Sequence, residues 1–213
     1  MQKIFIIFTL HEEKGLVTAA NLYAILEKLQ PEVIFLEVPC VPADQPFELD
    51  ATQNLECATV AEYQNHHPVI LHPVDNPTPE DSFFRRHDEI VVEAVHKSYD
   101  FHHLYHEWQE CIKREGFQYL NSERISHNER VRNEAMVTWL EKQNNKCFSD
   151  FYEKWLATNE QRDRAMVDRI YQYCLSNDFN HAVFLVGAAH RESIIRKVVP
   201  LCSTERKFID ACI

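Results

Sequence analysis

Apolar and polar positions alternate between two rhythms along the chain. Residues 3–10, KIFIIFTL, are a continuous apolar run rich in β-branched and aromatic side chains, the pattern of a strand buried on both faces. From Thr18 to Leu29 the spacing becomes helical, with Leu22, Ile25, Leu26 and Leu29 on one stripe and Pro31 as the stop. EVIFLEVP, 32–39, predicts a second buried strand. Strand, helix and strand within so short a span predict a parallel pair joined by a right-handed crossover. Residues 40–58 read as a loop, followed by a short helix over 58–65 and a third strand over 67–75, HPVILHPVD. NPTPED, 76–81, is loop punctuation.

The rhythm then changes. Residues 82–145 are rich in charge and histidine and keep a helical period, which predicts helices over 82–115 and 122–145. This segment is read as a helical insertion or cap able to form one wall of a cleft. The α/β pattern returns afterwards. Residues 148–178 predict a helix, with a break near Thr158 and Asn159. AVFLVGAAH, 182–190, predicts a strand and its exit, RESIIRKVV, 191–199, a helix stopped by Pro200, and RKFIDACI, 206–213, a last strand. The expectation is a single α/β domain over 1–213, with a mostly parallel central sheet flanked by helices and the 82–145 insertion within it.

Composition narrows the partners. Asp plus Glu number 33 against 22 Lys plus Arg, a net charge of −11. A field of that sign argues against nucleic acid and against anionic membrane surfaces, and leaves a small-molecule or peptide substrate. No apolar run approaches the roughly 20 residues that a membrane span needs. The seven cysteines are scattered, with no CxxC pair, so neither a thiolate zinc site nor a redox pair is expected. The N-terminal apolar run is too short for a secretory h-region, and with the odd cysteine count the expected compartment is the cytoplasm.

Candidate chemistry follows from topology, because ligands of parallel α/β sheets bind beyond the carboxyl ends of the strands. The first strand delivers His11 with Glu12, the second Glu37, the third His72 and Asp75, and the late strand His190. Two histidines with carboxylates on one edge suit acid–base chemistry or metal binding. Glu37 interrupts an otherwise apolar strand, and a buried carboxylate needs a partner. Gly15 and Gly187 are two of only three glycines, and Gly187 is read as opening the turn so that the backbone approaches a ligand and His190 faces the edge. Both glycines also fit ordinary βα turns. In NEQRDRAMVDRI, 159–170, Arg162 lies beside the apolar helix face and could offer a bidentate fork to a carboxylate or a substrate oxyanion, whereas Arg164 and Arg169 read as solvated. His102, His103 and His106 have helical spacings that can hold a metal, but no HExxH is present, and a solvated or cap-lining face is the expectation. No Walker loop, GxGxxG or GxSxG occurs.

A strand ending in histidine, a helix, a strand ending FLE, and later QRDRAM before VFLVGAAH resemble the superfamily of erythromycin esterases, ChaN-type haem-binding lipoproteins, TraB proteins and Tiki metalloproteases. The likeness covers about the first 40 and last 55 residues. It implies that His11 takes the place of the first motif histidine, GAAH supplies His190, FLE supplies Glu37 and QRDRAM supplies Arg162. In FTLH, Phe8 stands where the family often has glycine. The resemblance implies a hydrolase in which His11 or His190 activates water on an ester or amide, Glu37 assists and Arg162 stabilises negative charge. In a metal-dependent variant His11, Glu37 and His190 would hold Mn, Co or Zn. The alternative is a non-catalytic binder of haem or another small ligand. Glu12, Gly15, His72, Asp75 and Gly187 are the expected ligand-lining residues.

Overall fold

The computed structural model describes residues 2–42, 45–77, 79–205 and 208–210, with side chains described through residue 199. Strands β1 (Lys3–Thr9), β2 (Val33–Pro39), β3 (Ile70–Asp75), β4 (His181–Gly187) and the short β5 (Phe208–Asp210) form a sheet in the order β3-β2-β4-β1-β5. Every pairing is parallel. Helices flank the sheet, so the fold is α/β as the hydrophobic pattern predicts. Among the described residues, no helix is long and apolar enough to cross a membrane.

The order corrects one expectation. β1 and β2 are parallel but not neighbours, because β4 lies between them. β4 is buried at Ala182 through Gly187, the pattern of a strand covered on both faces and both edges, and the sheet centre is where that run loses most contact with water. The outer strand β3 carries Pro73, whose missing N–H is tolerated on an edge. Between Leu36↔Pro73 and Pro39↔Asp75 the β2–β3 register shifts, so Glu37 and Val38 stand opposite Val74 alone. This bulge lies where β2 delivers its carboxylate. Of the last predicted strand only 208–210 is described; 206–207 and 211–213 lie outside the described residues.

Helix α1 (Ala19–Leu29) starts at Thr18, whose hydroxyl accepts from the Asn21 N–H, and ends on Gln30 at φ 45°. Helix α2 (Leu55–His66) starts three residues before the expected 58, because the Asn54 side chain caps it by accepting from the Cys57 N–H at 2.8 Å. The helix expected over 82–115 is two, α3 (Asp81–Lys97) and α4 (Tyr99–Glu115). Ser98 ends one and caps the other, its hydroxyl accepting from the Phe101 N–H. Helices α5 (Phe117–Leu120) and α6 (Glu123–Gln143) follow. α7 (Lys146–Ser176) runs unbroken for 31 residues. The expected break at Thr158 and Asn159 has neither proline nor glycine to cause it, and Asn159 turns its side chain onto Arg162 instead. α8 (Arg191–Glu205) continues past Pro200, where its predicted end lay. A proline removes one hydrogen bond from a helix but need not end it when the flanking turns hold.

The sheet and its helices share one apolar core, in which Phe8, Phe35, Phe184, Leu22 and Tyr63 are buried. A second cluster lies among α3, α4, α6 and the first half of α7, around Ile90, Phe101, Met136, Trp139 and Tyr152. The helical segment meets the sheet at the β1 exit. Gly15 has φ +56°, and a Cβ there would stand 2.3 Å from the Lys113 Cα of α4, so the loop after β1 lies directly on that helix. Asn121 ties the same strand from the other side: its Oδ1 accepts from the Phe8 N–H at 2.8 Å and its Nδ2 donates to the Phe8 carbonyl at 3.1 Å. A single amide thus satisfies both backbone groups of Phe8 above the end of β5 pairing. Phe8 itself points into the core, with the Arg191 guanidinium 4.8 Å from its ring centre.

Candidate active site at the carboxyl edge of the sheet

Because β4 is central, the ends of β1, β2 and β4 stand side by side, with Thr9 paired to Gly187 and Leu36 to Leu185. The residues that follow converge. Glu37 has a side chain only 6% exposed and accepts three hydrogen bonds. Oε1 accepts from Arg162 Nη2 at 2.7 Å and from His190 Nε2 at 3.1 Å, and Oε2 accepts from the Gly187 N–H at 2.6 Å. Arg162 reaches down from α7 and forks onto Asp75 at the end of β3, with Nε at 3.1 Å and Nη2 at 2.6 Å from Oδ2. Its Nη1 donates to Asn159 Oδ1 at 3.2 Å. On the other side His190 Nδ1 meets Asp163 Oδ1 at 2.5 Å. Asp75, Arg162, Glu37, His190 and Asp163 therefore form one continuous buried chain of charges.

The neighbouring charges override burial in both central groups. Burial alone would raise the Glu37 pKa, but His190, His11 and Arg162 together hold it well below the usual carboxylate range. Burial alone would lower the His190 pKa, but Glu37 and Asp163 push it up to about 10. His190 is thus an imidazolium at neutral pH, donating Nδ1–H to Asp163 and Nε2–H to Glu37.

His11 differs from every member of that chain. It stands just past β1 with a side chain 56% exposed, and its Nδ1 lies 3.2 Å from Glu56 Oε1 in the first turn of α2. Glu56 is buried, and the Thr9 hydroxyl donates to the same Oε1. The hydrogen bond to Glu56 raises the His11 pKa, against burial, with help from the charge of Glu37 and against that of His190. On its other side His11 approaches Gly187: a Cβ built on Gly187 would lie 3.2 Å from Glu37 Oε2 and 3.4 Å from His11 Nε2.

Of the residues expected from the sequence, His11, Glu37, Asp75, Arg162, Gly187 and His190 come together. His72 does not: its ring packs between Phe35 and Tyr173, centroids 5.9 and 4.6 Å away, and burial lowers its pKa. Glu12 stays on the surface, and Gly15 serves the contact with α4. Arg162 directs its fork to Asp75 and Glu37, the carboxylate rather than the oxyanion of its two expected partners. Arg169, expected in solvent, donates to the Val74 carbonyl and to Asn76 Oδ1, both at 2.8 Å, because it lies two turns beyond Arg162 on the face toward β3.

A metal on His11, Glu37 and His190 does not fit these donors, since both His190 ring nitrogens already face carboxylates within 3.1 Å. Among the described residues no group of three or more histidines, cysteines or carboxylates could hold a metal ion. In the 96–106 segment the histidines are surface residues; His96 and His102 turn Nδ1 toward the Val92 and Val95 carbonyls.

Asp163 and Glu56 are the two site carboxylates that the sequence reading passes over. Both had a signal. Asp163 shares a helical stripe with Met166, Val167 and Ile170, and Glu56 one with Thr59, Val60 and Tyr63, all buried. A carboxylate on a buried stripe needs a partner, just as Glu37 does within its strand. Against known proteins the chain matches no family model, no curated protein and no solved structure.

Proposed function

We propose that this edge is the active centre of a hydrolase in which His11 is the general base that activates water against an ester or amide. The observation that carries the reading is the division of labour between the histidines. His190 is buried and fixed as a cation by two carboxylates, so it has no lone pair to offer. His11 is half exposed, is backed by a buried carboxylate at Nδ1, and turns Nε2 toward Gly187 and Glu37. In the proposed reaction Nε2 takes a proton from water as the water oxygen bonds to the carbonyl carbon, and returns it to the departing alcohol or amine. Glu37 Oε2 is near enough to orient that water, while Arg162 and His190 keep Glu37 ionised and fixed.

The charges at the site also bear on the substrate. Glu37, Asp75, Asp163 and Glu56 outnumber Arg162 and His190, within a chain of net charge −11. Such a field favours a neutral or cationic small molecule or peptide over an anionic one. The resemblance to the erythromycin esterase, ChaN, TraB and Tiki superfamily supports the hydrolase reading, and the free thiols of Cys40, Cys57, Cys111, Cys147 and Cys174 suit a reducing compartment, the cytoplasm. A screen of p-nitrophenyl esters and aminoacyl p-nitroanilides, run on wild type and His11→Ala, tests it. Turnover in wild type that falls by about 10²- to 10⁴-fold in the variant is expected; equal turnover in both removes His11 as the base.

A second reading, a non-catalytic binder of haem or another small ligand, is favoured by the way Glu37, Arg162, Asp75, Asp163 and His190 satisfy one another. A Soret band on adding haem to wild type, lost in His11→Ala, would support it over hydrolysis.

A further inference from the structure

We propose that Glu56 is a positioning residue for His11, holding its ring so that Nδ1 carries the proton and Nε2 presents a lone pair toward Gly187 and Glu37. The inference rests on the reading of His11 as the base and extends it to a residue on a different element.

Three observations carry it. First, the chain fixes Glu56 beside His11 through the backbone: the Leu55 N–H donates to the His11 carbonyl at 3.0 Å, and Asn54 caps the same turn. Second, Glu56 is 5% exposed, and its Oε1 receives the Thr9 hydroxyl and faces His11 Nδ1. Third, its ion-pair partner is this histidine, and its Oε2 is buried without a hydrogen bond. A carboxylate kept out of water beside one half-exposed histidine is a poor device for stability. It is a good device for fixing a tautomer, because an ionised carboxylate accepts and cannot donate.

The proton balance follows. Water gives its proton to Nε2, the ring becomes an imidazolium with N–H at both positions, and the charge of Glu56 offsets the positive charge formed. When the leaving group takes the proton, the ring returns to its starting tautomer. Besides Glu56 from α2, the charged groups facing His11 are Glu37 from β2 and His190 from the turn after β4.

The test is Glu56→Gln, with ¹H–¹⁵N NMR titration of the His11 ring beside steady-state kinetics on any ester or anilide that wild type turns over. The variant should lower the His11 pKa, move the acid limb of kcat to lower pH, and reduce maximal kcat on the order of 100-fold with KM little changed. Glu56→Asp should restore part of both effects. A His11 titration identical in wild type and Glu56→Gln overturns the proposal. A shifted titration without hydrolysis of any substrate leaves the positioning intact and removes the hydrolase reading. If Glu56→Gln does not fold, Thr9→Val, which removes the hydroxyl that donates to the same Oε1, should shift the same resonances, and no shift there counts against the proposal.

Discussion

At the scale of single residues the site depends on an atom that is missing. Gly187 has φ −57° and ψ 139°, angles open to any residue, so the freedom of its backbone is not why glycine stands there. What matters is the space its absent Cβ leaves between Glu37 Oε2 and His11 Nε2. Gly187→Ala should therefore fold, with only a small loss of melting temperature, because neither side chain is forced through a backbone. Its methyl would still occupy the ground between the base and the carboxylate. Turnover should fall, because the methyl takes space beside the base and presses on Glu37 Oε2, 3.2 Å away. Wild-type turnover in a folded Gly187→Ala would mean that the water is activated elsewhere. His190 shows the converse. It is conspicuous in the sequence as the end of GAAH, yet two carboxylates at 2.5 and 3.1 Å make it a fixed cation.

Between elements, Arg162 is the tie. From α7 it joins the end of β3 through Asp75 to the bulged end of β2 through Glu37. Replacing it with methionine keeps most of the volume, leaves the buried Asp75 without its counter-charge and leaves Glu37 with His190 alone. Removing one partner from such a network costs about 3–5 kcal/mol. Arg162→Met should thus lower the urea midpoint of unfolding well below that of wild type, and an unchanged midpoint would show that Asp75 and Glu37 find other partners. Much of this scale was legible beforehand. The strands ending at His11, Glu37, Asp75 and His190 follow from runs of apolar residues, and the rule that ligands sit at carboxyl ends put these side chains on one edge. The strand order was not legible, because a βαβ pattern does not say whether a strand formed 140 residues later will enter between its two strands. Asp163 and Glu56 were hidden for another reason. The apolar members define the buried stripe of a helix, and a carboxylate on that stripe is legible only through its need for a partner.

For the whole molecule, the same charges set how stability depends on pH. His190 has an ordinary pKa of 6.5 when unfolded and about 10 when folded. A raised folded pKa contributes stability that is complete below 6.5 and is lost as pH climbs toward 10, because the folded state then holds a proton that the unfolded chain has released. His11, also raised, acts in the same direction. Glu37 is lowered from 4.5, so its contribution is present above that value and is lost on acidification. Together they place maximal stability between about 4.5 and 6.5, on the acid side of neutrality. The expected slope on the alkaline side approaches one proton, about 1.4 kcal/mol per pH unit, before the cysteines and tyrosines add their own titrations. Urea unfolding at pH 5.5, 6.5, 7.5 and 8.5 would read it, and His190→Gln should be less stable than wild type at pH 5.5 and closer to it at 8.5. A wild-type stability that rises from pH 6.5 to 8.5 would contradict a cationic His190. The buried chain of charges that holds Glu37 in place would then have to be neutral at its centre.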